Sequence, residues 1–545
     1  MDIINNIKTI ELLINQFNKR LHTIENSKEL LRFIRYSNNH SSTDNGSIIA
    51  IDGSMDYEER LEMLFFYVNA MAYSANLTTK KEVRFGNDIR RSSIGISSII
   101  PLWYSDISNI VDESDEFDAR YNLDKIPYML MTMAELYSAY NAVNVCKDLK
   151  LIILDRALIR TFASLIREVK KLIRIKRSAL FLDTRYGKVS LSDIKIAYML
   201  GDGSIYVPAR GAYAKYAIIK ELLDGEKSRD ELAKRLRIDI DKHIKYLKDL
   251  DIFDRTDSTL KLSEYTKNYW QRISSVTNTL INNIFNNNEY PFVINDKWLT
   301  LLDISALNLF LLYELIGKVL KENILMIGIV KDMNTTEFIR AIMPYYKIIL
   351  QPNILSNDRA LFTMLSATHN IDTPWRSISY DGAFTSLIYD KERDTLKAAR
   401  KAIFRERLFV RAYFQLRRYK NNLRSPVFMY DRLFYPKFDM KYLKEVEAEE
   451  WNNTSKLELF IDGSNIDDLY LSMLANLDSK EIYEAYGHNY LLYLADKAAK
   501  ADIRHMRSML EGMVNLYVNR GEIRKVSSLT KSFREQRYDI ERARV

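Results

Sequence analysis

Four short apolar runs in this chain break off at a charged side chain. They are Ile48–Ile51 before Asp52, Leu151–Leu154 before Asp155, Ile324–Val330 before Lys331 and Leu457–Ile461 before Asp462. Each is rich in Ile, Leu or Val and short, the pattern of a strand buried on both faces. Between them lie longer segments of helical period, such as Met129–Val145 and Leu158–Ile175. Strands alternating with helices predict an α/β fold. A side chain at a strand end is held rigidly at the rim of the sheet, where open α/β sheets bind their ligands.

Composition narrows the class. The chain has 545 residues, enough for several folding units or for one domain with a large insertion. Its 47% hydrophobic content excludes wholesale disorder, and the single Cys146 excludes a disulfide framework or a multi-Cys zinc site. No apolar run approaches the ~18–20 residues of a membrane span, and the N-terminus lacks a signal-peptide pattern. A soluble, cytoplasmic protein with no membrane partner is therefore expected. With 16 Gly there is little room for glycine-rich nucleotide loops, while a net charge of +8 admits a polyanionic partner.

Two segments stand apart from the α/β pattern. Ile3, Ile7, Ile10, Ile14, Phe17, Leu21 and Ile24 form a heptad stripe, predicting a helix that packs on a partner or on the chain's own core. Further on, Tyr213–Leu223 reads as a helix stopped by Asp224-Gly225. A capping box at Ser228–Glu231 opens a second helix through Leu236, and Asp239 opens a third. Two strands, Ile252–Arg255 and Thr259–Ser263, follow around Thr256-Asp257-Ser258. Three helices and a β-ribbon resemble a winged helix-turn-helix. Lys242, His243, Lys245 and Lys248 could face DNA, but Asp239, Asp241 and Asp249 dilute their charge, so a structural or protein-binding role stands beside that one.

The chemistry is sought among carboxylates. Asp52 and Asp155 converging at one rim could hold Mg²⁺ or Mn²⁺, which prefer oxygen ligands and can drive displacement at phosphorus; singly, each could be a turn residue or a helix cap. Glu135 is the only charged residue between Lys125 and Lys147, inside an apolar helical run. A buried carboxylate there needs a coordinating or hydrogen-bonding partner. Lys331 could hold a phosphate or pair with a carboxylate. Asp-Gly-Ser occurs at Asp52, Asp202 and Asp462. Asp202 reads as a turn, while Asp462 stays a candidate.

Basic charge is concentrated. Lys391–Arg424 holds twelve basic residues against three acidic ones, including Arg411, Arg417, Arg418 and Arg424. Phe404, Phe409, Tyr413, Phe414 and Tyr419 interleave with them, as on a surface that neutralises phosphates and stacks unpaired bases. The helix after Asp155 adds Arg156, Arg160, Arg167, Lys170, Lys171, Arg174, Lys176 and Arg177. A solvated helix face is the ordinary reading of one such run, and two runs together favour nucleic acid.

These residues, in this order, resemble the NurA nucleases of archaea. The resemblance rests on a strand before Asp52-Gly-Ser, isolated Glu135, a strand before Asp155, Gly328-Ile-Val-Lys331-Asp332, and the block Gly487-His-Asn-Tyr-Leu-Leu-Tyr-Leu-Ala-Asp496. Ala412–Leu416 and Leu457-Glu-Leu459 resemble the family's late strands. The resemblance implies an RNase H-like core, a mixed sheet flanked by helices, and a Mn²⁺- or Mg²⁺-dependent DNA nuclease. Such an enzyme combines 5′ to 3′ exonuclease and single-strand endonuclease action. It would work as a homodimer with a HerA-type hexameric ATPase in DNA end resection and repair. On this mapping Asp52, Glu135, Asp155 and Asp496 are metal ligands and Lys331 contacts phosphate. Arg156, Arg160, Arg411, Arg417, Arg418, Arg424, Lys242 and Lys245 are the expected DNA contacts.

The implied organisation is a helical segment over 1–45, core over 46–200 and 296–510, a winged-helix-like insertion over 201–295, and a basic tail over 511–545. Two departures stand out. The family block reads Gly-Tyr-Pro with a later His, where this chain has His488, Asn489 and Asp496. Arg156 also stands where the family tends to have Gly. The altered block and the inserted module support an alternative, a catalytically inert DNA-binding or adaptor subunit of a translocase. A transcription regulator built on the winged helix alone fits the large α/β remainder poorly.

Overall fold

The computed structural model describes residues 2–25, 27–36, 46–77, 89–111, 123–205, 207, 213–236, 238–247, 253–255, 259–286, 290–332, 334–348, 357–381, 387–390, 392–393, 395–398, 407–417, 424–450, 453–461, 465–477, 486–521, 530–531, 537 and 540. The fold is mixed α/β, a central mixed sheet flanked by helices. Its strands, in chain order, are β1 (Ile34–Tyr36), β2 (Gly46–Glu59), β3 (Met63–Leu77), β4 (Ile89–Arg91), β5 (Ile96–Trp103) and β6 (Leu149–Leu154). Then come β7 (Leu325–Val330), β8 (Trp375–Ser377), β9 (Tyr380–Asp381), β10 (Phe409–Gln415) and β11 (Phe428–Leu433). The spatial order is β1-β8-β10-β11-β7-β6-β2-β3-β4, with β5 on β3 and β9 on β10.

The centre of the sheet is parallel, β2 and β7 both running alongside β6. Ile48–Ile51 and Leu151–Leu154 are fully buried, which is why these stretches alternate nothing with polar residues. Five helices matter for the site: α1 (Asp2–Glu25), α2 (Lys125–Val145), α3 (Leu158–Ile175), α4 (Leu301–Lys321) and α5 (Tyr490–Asn519). Helix α2 packs on β2, β3 and α4, and α3 on α4 and β11. Thr300 and Asp303 close a full capping box that starts α4. Helix α5 packs on β2 and β3.

Asp52 is not at a strand end. Strand β2 runs on through it for a further seven residues as a hairpin with β3, Asp52 opposite Met71. What ends there is the parallel partner, because the last β2–β6 pair is Ile51 with Leu154. Asp52 therefore lies next to the C-terminal end of β6, and the rim expected at Asp52 belongs to β6.

The heptad helix forms, and among its described side chains docking is confined to the C-terminal end. Ile24 is buried and α1 meets the helix Asp358–Thr368, while Ile7, Ile10 and Ile14 are exposed. The helices Tyr213–Leu223, Arg229–Leu236 and Ile240–Leu247 and the strands Phe253–Arg255 and Thr259–Leu262 fall where expected. A two-residue strand, Lys227–Ser228, joins that ribbon. The Ser228 hydroxyl accepts the Glu231 N–H at 3.1 Å. Asp202 accepts from the Ser204 and Ile205 amides, the turn expected of it. Helix α5 continues unbroken across 510/511, so the basic tail does not begin a new element there. No described helix is long and apolar enough to cross a membrane.

Candidate functional site

Register brings the site together. Leu154 is level with Ile51 on one side and Gly328 on the other, so Asp52, Asp155 and Lys331 emerge close to one another from three adjacent parallel strands. The Asp155 amide still bonds to the Ile51 carbonyl, and its carboxylate pairs with Lys331. Gly328 is required because the turn after β6 crosses over β7. A Cβ there would lie 2.2 Å from the Arg156 carbonyl oxygen.

Helix α5 brings in Asp496. Asn489 caps the helix, its side-chain oxygen accepting the Leu492 N–H at 3.0 Å. Arg507, further along, pairs with Asp56 at 2.7 Å. Asp52 and Asp56 have the same parity on β2, so Asp52 faces the α5 side of the sheet. Asn69 of β3 ties the helix down, donating to the Ala499 carbonyl at 2.8 Å and to Asp502 at 3.0 Å while accepting from the Ser54 amide.

Glu135 approaches from the other face. A Cβ on Gly53 would lie 2.5 Å from Glu135 Oε1 and 2.8 Å from Met131 Cγ, so Gly53 is the gap that the α2 carboxylate enters. Glu135 is 1% exposed and takes the Arg156 Nε–H at 2.5 Å; the Gly53 amide also donates to it. The Arg156 guanidinium is further held by Thr132 at 3.1 Å and Thr161 at 3.4 Å.

The charges respond to this arrangement. Burial pushes the Asp52 carboxyl well above the usual carboxylate range, and the nearby Asp155, Glu135 and Asp496 charges add to this while Lys331 opposes it. The Asp52 carboxylate makes no hydrogen bond or ion pair with another described residue. Burial disfavours the charged form of Lys331, but Asp155, Asp52 and Asp496 outweigh that and raise it. Burial also raises Glu135, against the pull of Arg156. His488 is lowered by burial and then by Lys331, so it stays a neutral imidazole whose Nδ1–H donates to the Asn489 carbonyl.

The oxygen donors of Asp52, Asp155 and Asp496 suit a hard divalent cation. They do not form a ready metal centre. Among the described residues, no group of three or more His, Cys, Asp or Glu is placed to hold a metal ion. Asp155 is engaged by Lys331 and Asp496 by Lys500, while both Glu135 oxygens are taken on the opposite face.

Several expected DNA contacts have other work. Arg156 is buried in its pair with Glu135. Arg411 is fully buried and bonded to Asp431 at 2.8 Å and Glu337 at 2.8 Å. Neither guanidinium is available to a phosphate at the surface. Arg424 bonds to Ser366, Asn370 and the Ile371 carbonyl. Phe409, Tyr413 and Phe414, expected to stack bases, are core residues of β10, a strand buried on both faces. Arg160 and Lys242 are exposed and Arg417 half-buried. Arg418, Asp462 and the Lys245 side chain lie outside the described residues. From Arg160 to Arg177 the basic residues of α3 and its end are all exposed, so that run does form a solvated basic face.

In the sequence His488 stands out only as a departure from a motif, and Asn69 belongs to none. The signal for Asn69 was present, an amide inside the apolar run Phe65–Met71. No protein-family description and no curated protein matches this chain. Solved structures do resemble it. The NurA nuclease from Sulfolobus solfataricus shares 11% identity, with 94% of this chain and 98% of that one covered, at a TM-score of 0.39. A NurA bound to dAMP and manganese shares 13%, covering 94% and 97%, at 0.42. A NurA with manganese shares 14%, covering 93% and 98%, at 0.37. At such distance the role of any residue in this chain is decided by its own surroundings.

Proposed function

We propose that this chain is a NurA-like DNA nuclease whose reacting centre is the group Asp52, Asp155, Lys331 and Asp496. The observation that carries this is electrostatic. Strand register and α5 gather three aspartates around Lys331, and the buried Asp52 carboxyl is raised first by burial and then by its like-charged neighbours. Carboxylates perturbed by burial and by like charges cluster at functional sites. Lys331 is placed to meet a phosphate, and the exposed basic face of α3, starting two residues beyond the Asp155-Arg156 turn, would draw a nucleic-acid backbone towards it. Bound Mn²⁺ or Mg²⁺ would supply the Lewis acid and the activated water that phosphodiester hydrolysis needs. The chain's own part is to hold the phosphate at Lys331 and to keep Asp52 shielded from bulk water. Action as a homodimer with a HerA-type ATPase in end resection belongs to the same proposal.

A second reading, an inert DNA-binding or adaptor subunit, is favoured by one observation: cations of the chain itself already neutralise Glu135 and Asp155. Incubation of the purified chain with single- and double-stranded DNA separates the two readings. The nuclease reading expects products with Mn²⁺ or Mg²⁺ and none after EDTA. Salt-sensitive binding without products under any metal condition would establish the adaptor instead.

A further inference from the structure

His488 is set in place by the turn that enters α5. Gly487 has a φ of +72°, and a Cβ there would lie 2.2 Å from that of Ser425, so the chain passes tightly over the segment leading into β11. The His488 ring then meets Phe428 edge-on, 5.3 Å between centroids, and Asn489 caps α5. Phe428 precedes Met429, the register partner of Val330, so the imidazole stands beside the end of β7 from which Lys331 emerges.

The neighbouring backbone fixes the tautomer. The Asn489 carbonyl can only accept, so Nδ1 carries the proton and donates to it at 3.0 Å. Nε2 is left with a lone pair. That atom is buried, in a residue 7% exposed, and has no hydrogen-bond partner among the described residues. Such an orphaned buried nitrogen calls for a functional account. Burial disfavours an imidazolium here and so does Lys331, while Asp155 and Asp496 favour one. The other bases of the site are engaged or weakened. Asp155 is held by Lys331 and Asp496 by Lys500, and burial raises Asp52 well above the carboxylate range.

We propose that His488 Nε2 is the proton acceptor for the water that attacks a phosphodiester held at Lys331. This deepens the nuclease reading above and rests on it. The water oxygen forms a bond to phosphorus as the bond from phosphorus to the leaving sugar oxygen breaks, its electron pair staying on that oxygen. The water proton passes to Nε2, and the leaving oxygen takes a proton from solvent. The imidazolium then returns its own proton to solvent. Asp155 and Asp496 offset the charge that forms on the ring.

The test measures kcat and KM for cleavage of single-stranded DNA by the full chain with Mn²⁺. His488→Gln leaves an oxygen that can accept a hydrogen bond but cannot hold a proton at neutral pH. It is expected to lower kcat by about 10²-fold or more, with KM within about threefold, the scale of losing a general base. His488→Phe keeps a ring against Phe428 and should lose as much, which a packing role would not produce. The Mn²⁺ concentration giving half the maximal rate should be the same in all three chains.

A kcat within about threefold of the natural one in either folded variant overturns the proposal. So does a loss carried by KM alone, which would make His488 a binding group. A rise of about tenfold in the Mn²⁺ required would make it a metal ligand and also overturn the proposal. If a melting curve shows that His488→Gln does not fold, His488→Phe decides the matter. No cleavage by the natural chain would defeat the nuclease reading and this proposal together, whereas full cleavage by a folded variant would defeat this proposal alone.

Discussion

Two charged clusters sit in this sheet, and they are built oppositely. Around Arg432 every carboxylate is answered. The guanidinium bonds to Asp439 at 2.7 Å and to Asp467 at 2.6 Å, and Asp467 also accepts from Ser379 and Tyr430. Burial alone would raise Asp467, but Arg432, then Arg376 and Ser379, hold it at about 2. Around Asp52 the carboxylates outnumber the cations that reach them, and the buried one is pushed up instead of down. The first cluster uses charge to fix β11 against the helix Asn465–Asn476. The second accepts an unfavourable charge arrangement, which folding alone gives no reason to keep.

That contrast can be broken most violently at Arg432. Arg432→Met leaves Asp439 and Asp467 buried without the guanidinium that joins them, and should cost about 3–5 kcal/mol in a urea melt. A loss below about 1 kcal/mol would show that the network is not the fixed structure described. Lys331→Met acts on the other cluster, removing the cation that most opposes the rise of Asp52. DNA affinity should fall roughly tenfold by fluorescence anisotropy, with the fold retained. Unchanged affinity would remove Lys331 from phosphate contact.

Asp52→Asn sharpens the difference in sign. A carboxyl raised above its ordinary 3.8 binds more protons in the folded chain than in the unfolded one between the two values. Folded-state stability is therefore lost as pH rises through that window. The amide escapes this loss and should stabilise the chain by about 1 kcal/mol at neutral pH, with no gain below the ordinary carboxylate range. Destabilisation at neutral pH would mean that the charge of Asp52 is compensated. The smallest effect is expected from Arg160→Ala, which should lower the slope of log affinity against log salt by about one, as for the loss of a single phosphate contact.

The local features of this fold were legible in the sequence. Apolar runs gave β6 and β7 to within two residues, and helical period gave α2 and α3, because burial on both faces and amphipathic spacing are properties of neighbouring residues. Asp52, Asp155 and Lys331 were legible as charged residues closing apolar runs, whereas Asp496, on a helix, could be named only through the family resemblance. What could not be read were pairings across the fold. Whether Glu135 would meet a metal or Arg156 depends on which helix face lies over Gly53. The aromatics of β10 carry the same alternating pattern whether they stack on bases or fill a core, and only the packing on the two faces of β10 decides it. Arg411 reads as one more basic residue in a charged run until Asp431 is placed opposite it by the β10–β11 register.

The claim that the Asp52 cluster is the reacting centre can be tested by one comparison. The natural chain and an Asp52→Ala, Asp155→Ala double variant, matched for melting temperature, are assayed on single-stranded DNA with Mn²⁺. The natural chain should cleave, and the double variant should lose roughly 10²–10³-fold or more of that rate, the scale of removing a charged group from a reacting centre. Full cleavage by the double variant would contradict the account.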